Sequence, residues 1–244
     1  AVKEAVDPRI HVFLATSPIH MQYKLKMSPE EVLESVRYHV SYTKKFLNNI
    51  EFSAEDATRS DWDFLCRVVD TAIKAGANTI NIPDTTGYLT PGEYYDLIKY
   101  LREHVDGVEN VILSCHNHND LGMGVANSLA GIQAGIGQVE CTINGIGERA
   151  GNAPLASVVP MVHDMLHMTT GIDEKQIYTV SHIVESFSGV VVAQNEPIIG
   201  ENVFTQTAGV HADGDRKNEL YYNSLLPERF GRKREYALGK LSGE

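Results

Sequence analysis

Five times along this chain a short β-branched, apolar run is followed by a helical stretch, and that recurrence restricts the fold more than any other feature. The strand-like runs are Arg9–Thr16, Asn49–Ser53, Thr79–Pro83, Val111–Ser114 and Gln138–Ile143. They recur at intervals of roughly 27 to 40 residues. Helices are expected from Ser28, where Pro29 takes the first position and Glu31 closes a capping box. Further helices are expected over 60–73, ending near Gly76, from Thr90 to about His104, over 121–134, closed by Gly135, and over 154–165. Strands alternating with helices of this length require a parallel sheet with right-handed crossovers.

Such a sheet can be open and doubly wound or closed as a (β/α)8 TIM barrel. Polar residues follow every strand: Thr16 and Ser17, Ser53 with Glu55 and Asp56, Asp84 and Thr85, His116 to Asp120, and Asn144 to Asn152. In a barrel these segments ring one mouth, whereas an open sheet would converge only those at its switch point. The ring favours the barrel. Five units cannot close eight strands, so about three strands are expected ahead of Ala1. Ala1–Asp7 reads as the tail of a helix. After residue 170 the pattern changes to a helix over 173–188, an irregular stretch from Pro197, and a polar, glycine-containing, basic end. The expected organisation is a partial TIM-barrel domain over 1–170 and a C-terminal helical and irregular arm over 171–244.

Composition narrows the partners. The chain has 244 residues, 43% apolar and 22% charged, with a formal net charge of −11. That balance argues against nonspecific nucleic-acid binding, and the short basic cluster Arg229–Arg234 reads as a solvated face or subunit contact. No apolar run reaches membrane-spanning length, and no signal-peptide pattern opens the sequence. Three cysteines, Cys66, Cys115 and Cys141, lack paired-ligand spacing and suit a reducing cytoplasm as buried thiols.

Two stretches carry chemistry. In Ser114-Cys115-His116-Asn117-His118-Asn119-Asp120, strand alternation projects His116 and His118 to one side. With Asn119 and Asp120 following, the pair makes half of a divalent-metal site; the alternative is two histidines solvated at a strand end. Gly145-Ile146-Gly147-Glu148-Arg149-Ala150-Gly151-Asn152 follows the next strand and matches neither the dinucleotide nor the Walker spacing. Asn152 could lend a carbonyl oxygen to the same ion. A purely structural loop, with Glu148 paired to Arg149, is the competing reading.

These two stretches, His116–Asp120 and Asn144–Asn152, resemble the signature motifs of the α-isopropylmalate/homocitrate synthase family. Ala15–His20, Glu51–Arg59 and Asn81–Thr85 resemble the same family in the same order, and the matches run from about Arg9 to the C-terminus. The resemblance implies a metal-dependent TIM-barrel enzyme that condenses acetyl-CoA with an α-keto acid. Carried over position by position, it implies metal ligands His116, His118 and Asn152, with Mg2+, Mn2+ or Zn2+ as the ion. It places His11, Ser53, Asn81 and Thr85 around the keto acid, and makes Glu55 and His211 joint candidates for the base. The family's acidic ligand on its first strand has no counterpart here, in agreement with the strand count. Relatives also insert a histidine and a tyrosine from the arm into the neighbouring subunit's site; His211 and Tyr221 match, and a homodimer follows. The keto acid expected is 2-oxoisovalerate, on the route to leucine. The segments 206–217 and 227–234 keep pyruvate open, 2-oxoglutarate is the further alternative, and an inert oligomerisation scaffold is the non-enzymatic one.

Overall fold

The computed structural model describes residues 2–218 and 223–237. Five parallel strands form one sheet in the order β1-β2-β3-β4-β5: β1 (Ile10–Ala15), β2 (Ile50–Glu55), β3 (Thr79–Asp84), β4 (Ile112–Asn117) and β5 (Gln138–Glu140). The order never reverses, so the sheet has no topological switch point and is the arc of a singly wound barrel. A short turn α1 (Pro18–His20) runs into a π-helical turn, Met21–Leu25, before α2 (Pro29–Lys44). The crossovers that follow are α3 (Trp62–Ala75), α4 (Pro91–His104) and α5 (Gly124–Ala134).

The helix boundaries follow their caps. Ser28 and Thr90 each make a complete capping box, with Glu31 and Glu93 reaching back to the cap backbone. Asp61 starts α3 by accepting from the backbone N–H of Phe64, and Gly76 ends it in the left-handed region. Several boundaries differ from expectation, β4 running on to Asn117 and β2 to Glu55. Helix α5 begins at Gly124, because Asn119 Oδ1 takes the Gly124 N–H at 3.0 Å and residues 121–123 become a turn. Strand β5 stops at Glu140, because Thr142 turns to pair with Pro154 and accepts from Leu155 N–H. The residues before β1 form only a 3-10 turn, Val2–Glu4.

The sheet has two chemically distinct faces. Ile50, Phe52, Ala54, Ile80, Ile82, Leu113 and Cys115 are buried in one core with Val36, Val40, Leu65, Val69, Leu97 and Leu101 of the helices. Burying each such large side chain stabilises the fold by about 1.5–3 kcal/mol. Tyr94, fully buried in the same core, donates its hydroxyl to the Ile82 carbonyl at 2.6 Å. Cys115 is inert there, its thiol pushed up to about 12 chiefly by burial.

Compactness divides the chain into Ala1–Cys141 with Gly147–Ala153, and Thr142–Ile146 with Pro154–Glu244. This division falls earlier than the change of pattern at residue 170. Helix α6 (Leu155–Leu166) shares its core, through Ala156 and Val159, with Ile177, Ile198, Ile199, Phe204 and Phe230. The helix expected over 173–188 is a 3-10 turn, Glu174–Gln176, leading into α7 (Ile177–Ser188). Residues 209–218, read as irregular, form α8 (Gly209–Asn218), with a two-stranded pair of β6 (Thr205–Gln206) and β7 (Glu235–Tyr236) nearby in sequence. Two glycines and two aspartates hide that helix from propensity, but Asp213 pairs with Lys217 one turn on.

One arginine organises the second unit. Arg232 donates to the carbonyls of Ile198, Gly200 and Glu201, and its guanidinium lies 4.5 Å from the Tyr178 ring centroid and 5.1 Å from that of Phe204. It thereby satisfies a bend in which Ile198 adopts φ 69°. Arg232→Ala is expected to cost about 2–4 kcal/mol, and Arg232→Lys more than half of that, because an ammonium cannot serve three carbonyls and stack between two rings. Urea denaturation of the three proteins measures both.

Candidate functional site

The second face of the sheet is polar, and alternation puts its residues there strand by strand: His11 on β1, Glu51 and Ser53 on β2, Asn81 on β3, Ser114 and His116 on β4, Gln138 and Glu140 on β5. Parallel sheets are ordinarily apolar on both faces, so this one requires internal hydrogen bonds. It has them. His11 Nε2 lies 2.6 Å from Ser53 Oγ, which accepts from Asn81 Nδ2 at 2.9 Å. Asn81 also donates to Glu140 Oε2 at 3.3 Å, and His116 Nδ1 donates to the same oxygen at 2.8 Å. At the far end Arg9 bonds Glu51 and Gln138 at 2.9 and 2.7 Å, and Gln138 donates to Ser114.

Several polar atoms in and near this network are left over. Asn81 Oδ1 and His118 Nδ1 are buried without a hydrogen-bond partner among the described residues. A buried unsatisfied group costs about 1–3 kcal/mol, so each reads as an atom kept for a ligand.

His116 and His118 stand with ring centroids 5.1 Å apart. The backbone of His118 pairs antiparallel with that of Asn152, which brings the glycine loop against the histidine strand. Gly147 makes room: a Cβ there would stand 2.5 Å from the Asn152 amide nitrogen. Two imidazoles and an amide suit a divalent ion with mixed nitrogen and oxygen ligands. Burial, helped by His116, holds the His118 imidazole below its ordinary value, in the neutral form a ligand needs. Among the described residues no group of three or more His, Cys, Asp or Glu converges on one point, so the histidines and Asn152 form a partial set.

Asn119 and Asp120 do not belong to that set. Asn119 caps α5, and Asp120 receives a two-pronged bond from Arg149 at 2.8 Å on each oxygen. Arg149 also donates to the Thr85 carbonyl at 2.7 Å, tying together the loops after β3, β4 and β5. Its main partner is therefore Asp120, with Glu148 only 3.7 Å away as a lesser one. Gly87 seats this latch, at φ 63° with a would-be Cβ 2.5 Å from Asp120 Oδ2.

The remaining expected residues are placed variously. Thr85 Oγ1 accepts from the Asp56 N–H at 3.0 Å, apart from the His11–Ser53–Asn81 chain. Both oxygens of Glu55 accept from Lys24 of the π-helical turn, at 2.6 and 2.8 Å. His211 is on α8, in the second unit, and is a helix residue instead of a loop one. Tyr221 lies outside the described residues. Sequence reading missed Glu140 and Lys24. The spacing of Gln138 and Glu140, two polar residues one apart on a strand, carried the signal for the first; nothing local pointed to the second.

Electrostatics across the polar face are asymmetric. Glu51 is pushed up from 4.5 to about 7 by burial and by the neighbouring Glu140. Burial also opposes the Glu140 charge, but hydrogen bonds from His116 and Glu51 outweigh it and pull that group down to about 2. The two carboxyls thus share one proton through the acidic range, up to about pH 7. His11 is lowered, mainly by burial.

Set against known protein families, residues 1–184 match the HMGL-like model, and residues 198–244 match the homocitrate synthase post-HMGL domain-like model. The chain belongs to the HMGL-like family. Among its relatives are proteins named 2-isopropylmalate synthase from Rhodopirellula baltica, 49% identical, and Bacillus cereus, 51% identical, each aligned over 100% of this chain. The alignments cover 47% and 49% of those relatives, so the chain spans about half their length. The crystal structure of hydroxymethylglutaryl-CoA lyase from Pseudomonas aeruginosa shares the fold, with a TM-score of 0.66 and 19% identity over 75% of this chain and 64% of that one.

Two outcomes follow for this HMGL-like chain. Between pH 4.5 and 7 the folded protein keeps a proton on Glu51 that the unfolded chain has lost, so stability falls as pH rises through that window. The loss is on the order of 1–3 kcal/mol; Glu51→Gln should flatten it, read by urea denaturation at pH 5 and pH 8. Gly87→Ala should cost roughly 2–3 kcal/mol, since it combines positive φ with a clash against Asp120. A double-mutant cycle with Asp120→Ala, read by thermal unfolding, tests that cause: removing the carboxylate at 2.5 Å should recover part of the loss, the Asp120 backbone nitrogen at 2.8 Å keeping the rest.

Proposed function

We propose that the protein containing this chain condenses acetyl-CoA with 2-oxoisovalerate, giving 2-isopropylmalate and CoA, the first committed step of leucine biosynthesis. The observation that carries the reading is the His116–His118–Asn152 cluster beside a hydrogen-bonded polar face on which Asn81 Oδ1 is buried without a hydrogen-bond partner among the described residues. The names of the half-length relatives support the same reading. A divalent ion, Mg2+, Mn2+ or Zn2+, would be held by His116, His118 and Asn152 and would supply Lewis acidity toward the keto group.

The chain's own residues do the rest. Ser53 and Asn81, fixed by His11 and Glu140, present a hydroxyl and an amide to orient the keto acid. Glu55 and His211 remain joint candidates to take the acetyl methyl proton; Glu55 must first exchange its Lys24 contact for that proton. Among the described residues the cations that reach this face, Arg9 and Lys24, are committed to Glu51 and Gln138 and to Glu55, which favours a keto acid without a second carboxylate. The post-HMGL match is the observation on the side of 2-oxoglutarate, with pyruvate the shorter alternative. Among the described residues no helix is long and apolar enough to cross a membrane. A cytoplasmic homodimer, with His211 and Tyr221 serving the neighbouring subunit, completes the proposal.

The test is CoA release by the full-length protein with each keto acid. The expected result is kcat/KM for 2-oxoisovalerate at least about 10-fold above pyruvate, the span that two methyl groups allow. His116→Ala should lower the rate by more than about 100-fold. CoA release with none of the three acids overturns the reading.

A further inference from the structure

We infer that Glu140 is a positioning residue for His116, holding the imidazole by Nδ1 so that Nε2 is turned to the ligand side. The inference rests on the reading of His116 as a metal ligand, but its support is independent geometry. His116 and Glu140 are register partners on neighbouring parallel strands, so their side chains rise from the same face at the same level. The Nδ1–Oε2 distance is 2.8 Å, and the same carboxylate oxygen is steadied by Asn81 Nδ2 at 3.3 Å. One level down, the Ser114–Gln138 pair repeats the contact between the same two strands at 2.9 Å.

A carboxylate on Nδ1 does two things to a ligating histidine. It selects the tautomer with the proton on Nδ1, and it stops the ring from flipping, so the Nε2 lone pair is aimed before any ion arrives. His118 has no such support, its Nδ1 being buried and without a hydrogen-bond partner among the described residues. The two histidines are therefore unequal: His116 is preorganised, and His118 acquires its orientation from the ligand and from the loop carrying Asn152. Nothing in the relatives' names bears on Glu140, and its place on a three-residue strand makes side-chain bonds the natural means of fixing it.

The experiment uses the full-length protein, with Mn2+ binding followed by calorimetry and the His116 tautomer by nitrogen NMR on the metal-free form. Wild type is expected to hold the Nδ1–H tautomer of His116. Glu140→Ala should weaken Mn2+ binding about 10–100-fold and mix the tautomers, whereas Glu140→Gln, whose amide oxygen still accepts from Nδ1, should keep the tautomer and weaken binding less. Ser114→Ala removes the neighbouring rung and should leave the Mn2+ Kd within about twofold, which separates aiming of His116 from mere joining of the strands. Wild-type affinity and tautomer in Glu140→Ala, or an equal loss in Ser114→Ala, overturns the inference. If His116→Ala itself binds Mn2+ as wild type does, the ligand assignment has failed instead.

Discussion

The two-residue period of a β-strand is the constraint on which the rest of this structure depends. It assigns Ile50, Phe52 and Ala54 to the helices and Glu51, Ser53 and Glu55 to the opposite face, without exception along β2. A slip of one residue in any strand would bury carboxylates under helices and expose isoleucines on the polar face. Register is thus enforced twice, by hydrophobic burial on one side and by paired polar groups on the other. The cross-strand register partners Ser53–Asn81, Ser114–Gln138 and His116–Glu140 are bonded through their side chains, in addition to the backbone ladder of their strands.

That double enforcement explains how a short strand can hold a functional residue. β5 contributes only three residues, too few for its backbone ladder to fix a side chain rigidly. Gln138 and Glu140 bond across to β4 and anchor it from the other direction. Beyond the strand ends the same task passes to the Arg149 latch, which joins three loops through Asp120 and the Thr85 carbonyl. The His116–Glu140 bond is charged and partly buried, where its geometry is worth more than at an open surface, whereas the Arg149 latch is more exposed and holds by its two-pronged geometry.

Much of the fold was legible because it rests on local chemistry. The capping boxes at Ser28 and Thr90, the left-handed glycines after α3 and α5, and the β-branched runs all act within a few residues. His116 and His118 were legible for the same reason, since alternation alone puts them on one side. What escaped depends on partners distant in sequence. Asn119 and Asp120 look like ligands beside two histidines, but one is taken by a helix N-terminus and the other by Arg149, 29 residues away. Lys24 meets Glu55 across 31 residues from an irregular turn that no periodicity predicts. Helix α8 was missed because its glycines and aspartates argue for a loop; its buried Asp215 takes a bond from Gln206 and an ion pair from Arg234. Position along the sequence cannot reveal such partners.

The distribution of protons on the polar face has a further consequence for how the site is built. Glu51 and Glu140 could not both be charged in a half-buried setting without strong mutual repulsion. The proton goes to Glu51, which lies next to Arg9, and the charge stays on Glu140, which faces His116. Arg9 alone would favour the opposite assignment, since a guanidinium stabilises the charged form of its neighbour. It loses because Glu140 collects donors from His116, Asn81 and the Glu51 proton. Negative charge is thereby concentrated behind the His116 imidazole. His118 Nδ1 and Asn81 Oδ1 belong to the buried polar atoms left unpaired among the described residues, where a ligand can pair with them.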